Sequence, residues 1–287
     1  MEYTEYHDVQ AFLNTTQLVF EENEVLLGLM LGISLRLAEN PLHYGTNPYL
    51  ATVADHEDLQ LIALMTPPHK LQVASFSGDS TKAIELLALN LQKGGWTVPA
   101  VLAEEELAKC FEAEWKVLTG VQSEHGMRQR IYQLCTVKHH DYPSGRFRQA
   151  TAEDLSFAAT WNASFHDDCF SSSNSKECTK ATRTMIENGD LYIWEDPLPV
   201  SMAGFSRPTK TGVSVGSVYT PPEFRKHGYA SALVASLSAL ALKNGRKFCT
   251  LYTDLSNPTS NSIYQNIGYD VVADVMDVNF ATSDSIT

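Results

Sequence analysis

Basic residues are scarce in this chain. Lysines and arginines number 21 against 34 aspartates and glutamates, a formal net charge of −13 over 287 residues. Nucleic-acid binding requires a basic surface that displaces counterions, so this balance argues against a nucleic-acid partner. The deficit is deepest in the first half: 9 basic against 19 acidic residues over 1–142, and 12 against 15 in the remainder. An amine or other cation is tolerated by such a field. Long hydrophobic runs are also missing. The longest, 25–35, stops at Arg36, so it is too short for a bilayer and reads as a buried helix; no membrane partner is expected. The N-terminus is acidic and polar rather than leader-like, which points to the cytoplasm. Paired cysteines are absent too. Cys110, Cys135, Cys169, Cys178 and Cys249 are scattered, odd in number and free of any CxxC spacing, which excludes a disulfide framework and a zinc site. Cys169 with nearby His166 reads as an incidental loop pairing. No metal is expected.

Apolar residues make up 44% of the chain and charged residues 19%, enough for two cores, and the length suits two domains. A polar break at 139–145, carrying Pro143 and Gly145, separates two periodic regions. The expected division is therefore 1–142 and 143–287. In the second region a short strand at 146–149 leads to Thr151, a helix N-cap with Asp154 in the capping-box position. Helices follow through 155–161 and 181–187, then strands at 191–194, 200–205 and 213–219. From there the order is βαβαβ: a helix over 229–244 stopped by Gly245, a strand at 248–253, and a helix capped by Asn257 with Pro258 at its first position. Strands at 271–272 and 275–280 are expected to close this domain. The first region reads as a helix over 16–37, strands at 49–53, 59–65 and 71–76, a helix over 81–92, a strand at 98–102, a helix over 104–118 and a strand at 130–137. Its order echoes the second region, without a residue-level repeat.

The most informative segment runs from Val215 to Ala230. A strand enters a short loop that turns directly into a helix. A helix N-terminus presents unpaired amides and partial positive charge, and so captures phosphate. Gly228 and Ala230 leave room for a close backbone approach. Arg225 and Lys226 add positive charge, and Pro221-Pro222 stiffens the approach to the loop. Arg225-x-x-Gly228-x-Ala230 resembles the coenzyme A signature of the GNAT acyltransferases.

A second segment, 254–269, resembles the other hallmark of that family, with Asn257, Asn261, Ile263, Tyr264, Gly268 and Tyr269 in the expected places. The two motifs have the right order and separation, and the resemblance covers nearly all of 146–280. It implies an α/β fold of two tandem GNAT-like domains, each a mixed, mostly antiparallel sheet flanked by helices, with the C-terminal one intact. It also implies acetyl-CoA as acyl donor. Backbone groups of Val218, Tyr219 and Thr220 would hold the pantetheine arm and thioester. Amides of Lys226, His227, Gly228, Tyr229, Ala230 and Ser231 would hold the pyrophosphate, with Arg225 beside them. Asn257, Asn261 and Tyr264 can share one helix face, where the asparagine amides would meet pantetheine. Tyr264 is the expected acid for the departing thiolate.

The first domain, by contrast, carries Ser77-Gly78-Asp79-Ser80 where a phosphate loop belongs, and Asp79 would repel a pyrophosphate. It reads as a degenerate GNAT-like domain without cofactor. The expected activity is acetyl transfer to the primary amine of a small molecule or amino-acid-like substrate by direct attack; the alternative is a non-catalytic acyl-CoA sensor. A homodimer is left open.

Overall fold

The structure is a computed structural model that describes every residue except 46, 77, 139–140, 171–173 and 282–287. His139 and His140 of the expected linker, and Ser77 of the expected turn, thus lie outside the described residues. The chain forms two compact units. One comprises Met1–Arg130 together with the chain from Ala273 onward, and the other is Ile131–Val272.

The N-terminal unit runs β1 (Glu2–Glu5), α1 (Val9–Glu22), α2 (Gly28–Glu39), β2 (Tyr49–Asp55), β3 (Asp58–Met65), β4 (Leu71–Ser75), α3 (Thr81–Lys93), β5 (Ala100–Glu104), α4 (Glu105–Thr119) and the start of β6 (Ser123–Leu134). The single helix expected over 16–37 is two. Asp8 caps α1, accepting from the amides of Gln10 and Ala11 at 3.1 and 3.2 Å. Asn23 ends it, its amide and side chain both donating to the Val19 carbonyl at 3.0 Å. β1 was not anticipated; it pairs antiparallel with β2.

The larger correction concerns the last strand, β12 (Asp270–Phe280). It was expected to close the second domain, yet 275–279 pair antiparallel with β5, from Val275 opposite Glu104 to Asn279 opposite Ala100. The sheet order in this unit is β1-β2-β3-β4-β5-β12-β6. Met276, Val278 and Phe280 enter the core beneath α3 and α4, with Leu87, Phe111 and Trp115. Arg130 grips Asp274 through two hydrogen bonds of 2.7 and 2.8 Å, and Lys70 bonds Asp277. The units accordingly divide at Arg130 and Val272 rather than at Tyr142. Alternation alone identified the strand but not the partner edge, because pairing is a long-range choice.

The C-terminal unit contains β7 (Arg146–Gln149), α5 (Leu155–Phe170), α6 (Ser175–Glu187), β8 (Leu191–Glu195), β9 (Pro199–Ser206), β10 (Gly212–Tyr219), α7 (Tyr229–Lys243), β11 (Phe248–Asp254) and α8 (Pro258–Ile267). Its sheet order is β6-β11-β10-β9-β8-β7, with only β10 and β11 parallel among the pairs whose direction is assigned. Alternate side chains of the strands serve two cores. Ile193 and Met202 face α5 and α6, while Trp194 and Ala203 face α7 and α8. The capping box at Thr151 forms as expected, Asp154 accepting from the Thr151 amide at 2.8 Å. Arg148 also binds Asp154, at 2.7 and 2.9 Å. Burial alone would raise the Asp154 pKa, but Arg148 and the Thr151 amide overcome it and hold the carboxyl below its ordinary range.

Candidate functional site

The site is built where β10 and β11 part. Their parallel ladder joins Gly212 to Phe248, Val213 to Cys249 and Ser214 to Thr250, and then stops. Both strands continue, so β10 residues 215–219 have no partner in β11. On its other edge β10 carries a one-residue irregularity against β9 between Gly216 and Tyr219, with Ser217 held at φ +50°. A non-glycine residue in the left-handed region is strained, and a bulge re-aims the strand that carries it. Beyond the bulge the chain is pinned. The Ser201 hydroxyl bonds the Tyr219 carbonyl at 3.2 Å and the Thr220 hydroxyl at 2.9 Å. The Tyr219 carbonyl is therefore already an acceptor within the protein, while Val218 is half-buried.

The loop then closes through a tight turn at Pro222–Phe224 and reaches α7 through two left-handed residues, Lys226 at φ +69° and Gly228 at φ +81°. Gly228 is the N-cap of α7, and no side chain caps the helix. Among the described residues no acceptor is found for the amides of 226–231, and Arg225 through Gly228 are exposed. An uncapped helix opening with outward amides is an anion site by construction. His227 stacks on Tyr229, centroids 5.6 Å apart. The Tyr229 hydroxyl donates to Asp196 at 2.9 Å, and this bond keeps the phenol protonated above its usual range.

Arg225, expected beside the pyrophosphate, donates through Nε to the Thr220 carbonyl at 2.9 Å and through Nη2 to Asp168 at 3.0 Å. Both asparagines are engaged within the protein. Asn257 caps α8 by accepting from the Ser260 amide at 3.0 Å. Asn261 donates to the carbonyls of Asp254 and Asn257 at 2.9 and 2.7 Å and accepts from the Tyr132 hydroxyl at 3.0 Å. Its side-chain amide thus ties β11 to α8 and β6. The Asp254 carboxylate accepts from the Ser256 amide and hydroxyl at 2.8 and 2.7 Å, a loop-stabilising role.

Tyr264 lies in the α7 and α8 core, 8% exposed, between the rings of Tyr132 and Tyr269. Burial first, and the Cys169 thiol second, raise its pKa well above the phenol range. Cys169 belongs to α5, which covers the opposite face of the sheet. No hydrogen-bond partner for the Tyr264 hydroxyl is found among the described residues. Asp168, Ser201 and Tyr132 were not foreseen. Asp168 lies 57 residues from Arg225, and no local pattern signals such a pairing.

Residues 200–276 match the family model described as FR47-like protein. No curated protein matches the sequence. Among solved structures, a GNAT-family acetyltransferase from Colwellia psychrerythraea is 14% identical, with a TM-score of 0.61 over 98% of this chain and 100% of that one. A GCN5-related N-acetyltransferase from Sphaerobacter thermophilus is 13% identical, TM-score 0.63, over 97% and 95%. A tandem GNAT protein from the clavulanic acid biosynthesis pathway is 11% identical, TM-score 0.55, over 98% of each chain. This chain has the tandem GNAT fold. Within that GNAT architecture, the parted strands and the open helix belong to the C-terminal unit. The GNAT fold of the N-terminal unit has its own short parallel ladder, Leu71 to Val101 and Gln72 to Leu102. At the start of α3, however, the Asp79 carboxylate accepts from the Thr81 amide at 3.0 Å. A negative charge thus sits at the start of that helix. Among the described residues no helix is long and apolar enough to cross a membrane, and no cluster of metal-ligating side chains is found.

Proposed function

We propose that the C-terminal unit transfers an acetyl group from acetyl-CoA to the primary amine of a small molecule or amino-acid-like substrate. The observation that carries this reading is the uncapped, exposed N-terminus of α7 in the same unit as the β10 edge that has lost its partner strand. The donor set fits a diphosphate: backbone amides at 226–231, the left-handed Gly228 that lets the main chain approach, and the Lys226 cation. The parted β10 edge offers main-chain groups to an amide-rich arm, as an added strand would use them.

Coenzyme A brings an acyl group already activated as a thioester, so the protein needs no nucleophile of its own. The amides at 226–231 hold the charged end. Backbone amides of the bulged segment near Val218 are placed to stabilise an oxyanion. Tyr264, kept protonated by burial, holds the proton a departing thiolate needs. The N-terminal unit, with Asp79 just ahead of α3, takes no second cofactor.

Titration calorimetry with acetyl-CoA, followed by thiol release assayed with a panel of amines, tests the proposal. The expected result is one site per chain and amine-dependent turnover. Binding without turnover for any amine class would favour a non-catalytic sensor. Two sites would overturn the reading of the N-terminal unit, and absence of binding would sink the proposal.

A further inference from the structure

Arg225 makes two contacts that differ in kind. The bond from Nε to the Thr220 carbonyl lies within the loop and leaves the outer nitrogens of the guanidinium available for another group. The guanidinium also packs 5.8 Å from the Tyr219 ring centroid, which sets its plane. The second contact, Nη2 to Asp168 at 3.0 Å, joins side chains that are 47% and 58% exposed. Ion pairs this solvated contribute little, so this one is easily exchanged. Three residues further on, the open amides of α7 offer a place for a far denser negative charge. An arginine prefers phosphate oxygens over a single solvated carboxylate oxygen when both are in reach, because it can bind them with two parallel bonds.

Building on the reading of α7 as the diphosphate site, we propose that Asp168 is a positioning residue that holds Arg225 until the cofactor arrives. The guanidinium then exchanges Asp168 for a phosphate while keeping Thr220. No covalent bond changes. In the free protein Asp168 keeps the arginine from folding over the helix opening and ties the last turn of α5 to the loop. In the bound protein the end of α5 is released. Asp168 thus competes with the ligand, and its removal should strengthen binding, the opposite of what loss of an ordinary structural contact does.

The test is a double-mutant cycle read by calorimetry with coenzyme A, using the full chain, Asp168→Asn, Arg225→Gln and the double variant. Asp168→Asn is expected to bind coenzyme A about two- to five-fold more tightly, the range set by an exposed ion pair. Asp168→Glu should return to the wild-type affinity. Arg225→Gln should weaken binding, and adding Asp168→Asn to it should recover nothing. S-acetylpantetheine, which lacks the diphosphate, should bind Asp168→Asn and wild type alike. The exchange is overturned if Asp168→Asn binds no more tightly than wild type. It is equally overturned if the gain persists in the Arg225→Gln background, since that would be simple relief of charge repulsion. Failure of the wild-type chain to bind coenzyme A would overturn the site reading and this exchange with it. Wild-type binding with an additive cycle overturns the exchange alone.

Discussion

Phe280→Ala, near the end of the chain, should destabilise the N-terminal unit. Phe280 is 6% exposed, its amide donates to the Pro99 carbonyl at 2.9 Å, and its ring lies 6.1 Å from that of Phe111. Truncating a buried phenylalanine to alanine costs about 3–5 kcal/mol through lost burial and the cavity left behind. A domain has only about 5–15 kcal/mol to lose, so the fall in melting temperature should be roughly 10–20 °C for a unit of this size. The tryptophans make the effect assignable. Trp96 and Trp115 lie in the N-terminal unit, Trp161 and Trp194 in the C-terminal one. Trp115 stacks on Phe111 with centroids 5.8 Å apart, one ring away from the mutation. Thermal melts would be followed by fluorescence in matched backgrounds that keep one tryptophan pair and replace the other with phenylalanine. The Trp96 and Trp115 signal should shift by the full amount. A shift seen by Trp161 and Trp194 while the other pair stays put would refute the placement of β12.

Three other outcomes are expected. Tyr264→Phe should lower kcat by about 10- to 1000-fold with coenzyme A affinity nearly unchanged, measured by steady-state kinetics and calorimetry; wild-type turnover would remove Tyr264 from the chemistry. Gly228→Val forces a β-branched residue to φ +81° at the helix opening. It should cost about 1–2 kcal/mol of stability and weaken coenzyme A binding at least about ten-fold, with unchanged affinity arguing against the phosphate site. Asp154→Asn should cost about 2 kcal/mol at pH 7 by denaturant titration. Because the native Asp154 pKa is depressed, its contribution is complete above the unfolded value of about 4 and is lost as pH falls through the native one. The wild-type advantage should therefore vanish in acid; a gap that widens there would contradict the Arg148 pairing.

The parts of this protein legible in sequence were those written locally. Thr151 with Asp154, Asn257 with Pro258, and Gly228 ahead of an apolar helix each state their role within a few residues. Most of the strands between β2 and β11 followed from periodicity. What escaped depends on distant partners. β12 alternates as any strand does, and nothing in Met276, Val278 or Phe280 says which sheet will receive them. Asn261 sits where the family pattern expects it, yet its side-chain oxygen accepts from Tyr132, which is 129 residues away. Arg225 was read for its charge, and Asp168 claims that charge only after α5 has packed.

The course of β12 also has a consequence for how the protein is made. Chains emerge from the ribosome at about 5–20 residues per second, and early domains ordinarily fold first. Here residues 1–130 are complete long before Phe280 is synthesised, so the slot between β5 and β6 stays open for roughly 8–30 s. For that interval a nascent chain exposes two strand edges to chaperones and to neighbouring polysomes.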